Sequence, residues 1–265
     1  CAAGLRRLPE AELVAVGSRE EARARRFAAD TGASRGWGSY GELVADPGVD
    51  VVYVATPNSE HHDHCVLALS AGKAVLCEKP FATSAREARA VVAVARERKL
   101  FCMEAMWTRF IPLMARAEGL VREGAIGEPL AFRADFGITV PSRENRVFRP
   151  ELGGGALLDL GVYLLAASRS FLGPPLEAAG HARVGPTGVD EQDSILLRHA
   201  GERHSLLFAS ILGDTRAEAV VMGSHGQLRI HPPFYRPHRI SIEAFARSVV
   251  GTEPHAVPSP SRWSL

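Results

Sequence analysis

Apolar residues follow two rhythms along the chain. Up to about residue 105, short runs that are apolar at nearly every position alternate with longer stretches in which apolar positions recur every three or four residues. Glu12 to Val16, Val49 to Ala55, Ala74 to Cys77 and Leu100 to Ala105 are of the first kind, the pattern of parallel strands buried on both faces. Between them, Glu20 to Asp30 closed by Gly32, Ser39 to Ala45, Ser59 or Glu60 to Gly72, and Ser84 to about Arg98 read as helices. Ser39 with Glu42 and Ser84 with Glu87 have the spacing of capping boxes, and Asn58 or Ser59 is placed to cap the helix that Gly72 stops. Strand and helix in alternation predict an α/β domain over residues 1–105, a Rossmann-type doubly wound parallel sheet. Residues 1–8 read as the last turns of a helix; if that helix is truncated, the strand and turn before it are missing, and a start at Cys1 reads either as a fragment or as a chain whose ordered start is left out.

Beyond residue 105 the period changes. After a helix from about Pro112 to Glu123, Leu130 to Val140 alternates, with Leu130, Phe132, Ala134, Phe136 and Ile138 on one face and Arg133 and Asp135 on the other. That is the signature of a half-buried strand. Comparable runs at Leu176 to Val184, Asp193 to Arg198, Ser205 to Leu212, Ala217 to Met222 and Gln227 to Ile230 are joined by short turns. They predict an open, mainly antiparallel sheet in an α+β domain over residues 106–265. One helix interrupts the series, from Gly153-Gly154-Gly155 to Leu172, and the Pro- and Ser-rich tail from Thr252 to Leu265 ends as if a final element were lost.

Composition narrows the function classes. With 265 residues, 46% hydrophobic and 23% charged, this is ordinary globular material, and a net charge of +1 without a basic stripe argues against a nucleic-acid partner. No apolar run is read as a membrane span and no signal peptide is recognised at the start. The cysteines Cys1, Cys65, Cys77 and Cys102 have no framework spacing, which points to a reducing cytoplasm.

The chemistry concentrates where strands end. Thr56, Pro57 and Asn58 leave one predicted strand, and Glu78, Lys79 and Pro80 leave the next. In an open parallel sheet the carboxyl ends of strands are where ligands bind. After Val16 an NAD site would carry Asp or Glu for the ribose hydroxyls, whereas this chain has Ser18 and Arg19. A guanidinium there suits a 2′-phosphate, so the cofactor is read as NADP in preference to NAD; a solvated arginine is the alternative. A G-x-G-x-x-G phosphate loop, expected one turn earlier, is read as absent from the chain. In the glycine-led helix, Asp159 and Tyr163 are four residues apart and share a face. Lys79 beside that phenol would form a proton relay for alcohol and carbonyl interconversion, against the plainer reading of a packed tyrosine and a solvated lysine. His61, His62, His64 and Cys65 resemble a metal cluster, but without a second pair or H-E-x-x-H no metal is assigned. Trp107, Arg109 and Phe110 are either hinge packing or a wall of the cleft, and no G-x-S-x-G marks a hydrolase.

Five segments, in order, carry a family resemblance. Ala55 to His61 (A-T-P-N-x-x-H), Ala71 to Pro80 (A-G-K-A-V-L-C-E-K-P), Glu104 to Phe110 (E-A-M-W-T-R-F), Glu123 to Pro129 (E-G-A-I-G-E-P) and Gly153 to Tyr163 (G-G-G-A-L-L-D-L-G-V-Y) together resemble the Gfo/Idh/MocA oxidoreductases. Within that family, M-W-T-R-F and a tyrosine at 163 are similar to the branch of dimeric dihydrodiol dehydrogenases, glucose-fructose oxidoreductase and NADP-dependent xylose dehydrogenases. The resemblance implies hydride transfer between a nicotinamide and a secondary alcohol or carbonyl of a sugar, cyclic polyol or trans-dihydrodiol. It also implies a dimer, or dimer of dimers, formed through the open sheet. By position, Lys79 is implied to contact the reacting hydroxyl and the cofactor, Tyr163 to be the acid/base, and Asp159 to orient either. Ser18, Arg19, Thr56, Pro57, Asn58, His61 and Glu78 are implied to line the cofactor, with Trp107 and Arg109 beside them. Phe148, with Arg143 and Arg146, is expected at the substrate. A non-catalytic NADP-binding sensor on the same fold is the other reading.

Overall fold

The computed structural model describes residues 2–5, 7–245 and 263–264, and the chain divides into two compact units, Cys1–Ala105 and Met106–Leu265. Cys1 and most of the Thr252 to Leu265 tail lie outside the described residues.

In the first unit a single helical turn, α1 (Ala2–Leu5), precedes the alternation β1 (Ala15–Gly17), α2 (Glu21–Thr31), β2 (Arg35–Trp37), α3 (Tyr40–Ala45), β3 (Val51–Val54), α4 (His61–Ser70), β4 (Ala74–Cys77), α5 (Ala85–Arg98) and β5 (Cys102–Glu104). All its strand pairs are parallel, in two ladders, β1-β2 and β3-β4-β5. The Rossmann-like reading therefore holds, and β2 is a strand that the apolar pattern does not announce. Its centre is Gly36, where a Cβ would stand 2.6 Å from the Arg25 nitrogen. Glycine there lets α2 lie directly on β2, with Ala24 and Ala28 facing inward.

Both capping serines act as the spacing predicts: Ser39 Oγ accepts from the Glu42 N–H and Ser84 Oγ from the Glu87 N–H. The return contacts differ. Glu42 takes the Ser39 hydroxyl and Glu87 takes the N–H and hydroxyl of Thr83, so neither closes a box on the cap residue's own N–H. At α4 a 3-10 turn over Asn58–Glu60 leads straight into the helix, so the residue just before α4 is Glu60, which makes no side-chain cap. The core is aliphatic: Val44, Val52, Val54, Cys65, Leu69, Val75, Cys77 and Val91 pack together.

A G-x-G-x-x-G string does occur, at Gly36–Gly41 between β2 and α3. It is not built as a phosphate loop. None of its glycines has a positive φ, Gly36 serves helix packing, and Ser39 occupies the amino end of α3.

Among the described residues, the second unit holds α6 (Pro112–Arg122), α7 (Val162–Leu172) and eight strands: β6 (Pro129–Gly137), β7 (Pro175–Val184), β8 (Asp190–His199), β9 (Arg203–Ser210), β10 (Ala219–Gly223), β11 (Gly226–Ile230), β12 (Ile240–Ala244) and β13 (Trp263–Ser264). The sheet order is β13-β12-β11-β10-β6-β9-β8-β7, antiparallel except for β6 with β9. β12 is a second strand the pattern does not announce. Phe132, Ala134 and Phe136 of β6 are buried as the alternation requires, while Leu130 and Ile138 at its ends are exposed. Phe132 stacks on Phe171 of α7 with centroids 5.7 Å apart, a contact whose loss to alanine costs about 3–5 kcal/mol. On the opposite face the sheet is open: Leu196 and Leu206, paired in register across β8 and β9, are exposed while their neighbours Leu197 and Leu207 are buried.

The expectation that no stretch is membrane-like needs correction, since the helical stretch Pro150–Leu172 is long and apolar enough to cross a membrane by length and composition. Its composition has a different cause. The stretch is broken into 3-10, π and α pieces, and 61% of its most apolar window is buried within the protein, as a core helix requires.

Candidate active site

In the first unit, β3 and β4 run in register, Val54 opposite Cys77, so the turns that follow them leave side by side. His61, the first residue of α4 and 1% exposed, clasps both: its Nδ1 is 2.7 Å from the Pro80 carbonyl and its Nε2 2.9 Å from the Thr56 carbonyl. The ring is a strut between two loops. Glu78 is fixed too, one oxygen accepting from the Tyr53 hydroxyl and the other from the Lys79 N–H at 3.1 Å. Burial, then the hydrogen bond and charge of Glu78, push the Tyr53 phenol above its ordinary range. Lys79, half-buried, thus follows a strand end whose backbone is held on both sides.

Ser18 Oγ accepts from the Glu20 N–H and Arg19 is exposed just after β1. Arg19 is close enough to His64 to help hold that imidazole below its usual value, an effect led by burial and opposed by Glu60 and Asp63. His64 Nδ1 lies 3.0 Å from Thr56 Oγ1, and its ring meets the edge of Tyr40 at 4.3 Å. His64 and Tyr40 are residues the sequence reading misses; the available signal was a histidine four residues after Glu60, on the face that looks toward the strand ends. The histidine run is dispersed among partners, with His62 on Asp63. Among the described residues no group of three His, Cys, Asp or Glu side chains is arranged to hold a metal. Cys65 and Cys77 are buried, and the Cys77 thiol is pushed up by its hydrogen bond with Cys65 and by burial; burial raises Cys102 to about 11. Both effects disfavour the thiolate, the reactive form, at Cys77 and Cys102.

In the second unit the glycine-led helix begins otherwise than expected. Gly153 and Gly155 have φ of 70° and 117°, and residues Leu157–Gly161 form a π turn before α7, the Val162 N–H reaching back to the Leu157 carbonyl. The extra residue in that turn loosens the strict four-residue spacing assumed for Asp159 and Tyr163. Asp159 is 7% exposed and its Oδ1 accepts from Arg146 Nη2 at 2.8 Å. Tyr163 is 9% exposed, and its hydroxyl oxygen accepts from Trp107 Nε1 at 3.2 Å. The phenol is walled by Phe136 and Tyr235, centroids 5.6 and 6.2 Å away. Tyr235 was invisible in the sequence because it sits in the irregular segment between β11 and β12.

The remaining candidates are placed as follows. Trp107 and Arg109 lie on a 3-10 turn, Trp107–Phe110, both exposed. Phe148 is 1% exposed within the second unit's core and carries the Arg143 guanidinium on its ring at 4.6 Å, while Arg143 also pairs with Glu191. Phe148 is thus a packed residue under a charged cover. Pro57 and Asn58 form the start of the turn beside Thr56, with Asn58 buried.

Both units resemble known proteins. A family model described as "Oxidoreductase family, NAD-binding Rossmann fold" matches residues 2–106, and one described as "GFO/IDH/MocA C-terminal domain" matches residues 114–229. The trans-1,2-dihydrobenzene-1,2-diol dehydrogenase of Homo sapiens is 37% identical over 243 residues, 90% of this chain and 72% of the relative. That of Mus musculus is 39% identical over 223 residues, covering 83% and 67%. Among solved structures, a 3-ketoreductase from Actinomadura kijaniata, in complex with NADP and TDP-benzene, superposes with a TM-score of 0.87 at 29% identity over 100% of this chain and 79% of that one.

Proposed function

The chain belongs to the Gfo/Idh/MocA oxidoreductase family, and from that premise we propose that it is an NADP-dependent dehydrogenase or reductase acting on a secondary alcohol or carbonyl of a sugar, cyclic polyol or trans-dihydrodiol. The observation that carries the proposal is the pair of clasped turns after β3 and β4, from which Lys79 emerges. Bound nicotinamide supplies or accepts the hydride. In the oxidative direction Tyr163 takes the proton as the hydroxyl O–H breaks, and Lys79 holds the oxygen as it becomes a carbonyl. Trp107 donates to the Tyr163 oxygen and so favours its phenolate form, and Asp159, anchored by Arg146, orients the substrate or the phenol.

The first unit's residues fit a dinucleotide. Thr56, Pro57, Asn58 and Glu78 border the strand-end turns, and His61 supports them from within. The preference for NADP rests on Ser18 and Arg19 standing where a carboxylate would repel a 2′-phosphate; of the competing acids Glu20 and Glu21, Glu21 is paired with Arg25. Arg19→Ala is therefore expected to weaken NADP binding about tenfold to a hundredfold, the worth of a charge-assisted hydrogen bond, while leaving NAD binding unchanged. Isothermal titration with the two dinucleotides checks this, and equal losses for both would remove the basis for NADP.

Absorbance at the reduced-nicotinamide band with a panel of sugars, polyols and trans-diols tests the activity itself. Growth of the band with at least one of them is expected. Silence across the panel alongside tight NADP binding would favour a non-catalytic sensor instead.

Self-association through the open sheet face belongs to the same reading. Its support is the registered, exposed pair Leu196 and Leu206 flanked by Ala179 and Arg133 on neighbouring strands. Leu206→Asp is expected to turn a dimer into a monomer in sedimentation equilibrium, and a monomeric wild type at micromolar concentration would refute it.

A further inference from the structure

Asp190 opens β8, and Asp193 lies three residues along the same strand, buried to 6% exposure. Asp190 Oδ2 accepts from the Leu157 N–H at 2.6 Å, which is the first residue of the π turn. Its other oxygen occupies the place a Cβ at residue 155 would take, so only glycine there admits the carboxylate. Asp193 is within hydrogen-bond reach of Asp190, and its Oδ2 has no partner. Two carboxylates cannot hydrogen-bond to one another unless one carries a proton.

We propose that Asp190 and Asp193 share one proton and together seat the π turn Leu157–Gly161, making them positioning residues for Asp159 and Tyr163. The role toward Asp159 and Tyr163 rests on the reading of those two as site residues; the shared proton and the seated turn do not. Burial of Asp193 comes first among the causes that lift its carboxyl to about 7, followed by the hydrogen bond and charge of Asp190. Other charges around the pair are already engaged. Glu191 on the same strand is held by Arg143 and by Arg183 of β7, Asp159 of the π turn by Arg146, and β9 faces the pair with Ala209 and Ser210. A π turn is itself a feature that recurs at functional sites, because it shifts the side chains after it around the helix.

Three measurements decide the proposal. A carboxyl raised above its unfolded value gives stability that is complete below the unfolded pKa and is lost as pH rises to the folded one. Wild-type Tm is therefore expected to fall between about pH 4 and pH 7 more steeply than that of Asp193→Asn, whose amide donates to Asp190 without titrating. Parallel Tm curves would overturn the shared proton, and this readout needs no turnover. In kinetics, Asp190→Ala is expected to lower kcat by about tenfold to a hundredfold with KM little changed, and Asp190→Asn, which still accepts from the Leu157 N–H, to restore most of the loss. An undiminished kcat in folded Asp190→Ala would overturn the positioning role. If the protein turns over no substrate, the oxidoreductase reading fails separately, and a crystal structure of Asp190→Ala then decides: the π turn gone supports the seat, the π turn intact overturns it.

Discussion

Lys79→Met is expected to remove turnover while leaving the protein folded. Methionine matches the length and most of the volume of the lysine stem, so what is lost is the ammonium. Removing one donor aimed at a developing oxygen charge typically costs about 10²–10³ in kcat, and here the same group is proposed to hold both the reacting oxygen and its charge. The fold has little reason to respond. Lys79 is only half-buried, and the backbone contacts that fix the loop around it, the Lys79 N–H on Glu78 and the Pro80 carbonyl on His61, are left in place by the substitution. Circular dichroism and Tm close to wild type, with no detectable nicotinamide reduction, is the expected result. A variant that oxidised substrate at the wild-type rate would end the mechanism. One that kept kcat but required far more NADP would reassign Lys79 from the reacting oxygen to the cofactor.

The elements that were legible in the sequence are those whose cause is local. Ser39 and Ser84 declare helix starts because a capping hydroxyl needs only the N–H three residues on. The strands β3, β4 and β6 to β11 declare themselves through apolar period alone. What escaped depends on distant partners. β2 is three residues around a glycine chosen for its contact with α2, a packing need that no period encodes. The π turn is held by a carboxylate thirty-three residues later in the chain, so the G-G-G-A-L-L-D-L-G-V-Y string looks like a plain helix start until Asp190 is in view. The site shows the same division. The places of Lys79, Thr56 and Glu78 just after β3 and β4 were legible, since chain direction fixes where a parallel sheet presents its loops. His61 was singled out as well, but its two ring nitrogens face carbonyls and make it a brace, whereas His64, passed over within the same run, lies against the Thr56 hydroxyl. Phe148 shows the limit of loop position as a guide, since an aromatic in an irregular segment can belong to the core.

Tyr163→Phe is expected to lower kcat by about 10²–10⁴, the usual contribution of a positioned acid/base, with substrate KM and NADP affinity changed only a few-fold. Phenylalanine keeps the ring among Phe136, Tyr235 and Trp107, so the loss isolates the hydroxyl. Trp107 then provides the control that separates proton transfer from packing. Its indole N–H donates to the Tyr163 oxygen, and a hydrogen bond that holds this oxygen as the phenolate able to take the proton is worth about 1.5–3 kcal/mol, or about tenfold to a hundredfold in rate. Trp107→Phe should therefore slow the otherwise wild-type enzyme by that amount and be harmless to turnover when combined with Tyr163→Phe, because the donor then has no oxygen to serve. Steady-state kinetics on the two single variants and the double variant measures the coupling directly. Additive losses would mean that Trp107 acts through the substrate or the cofactor, and full turnover in Tyr163→Phe would require another acid/base in the second unit.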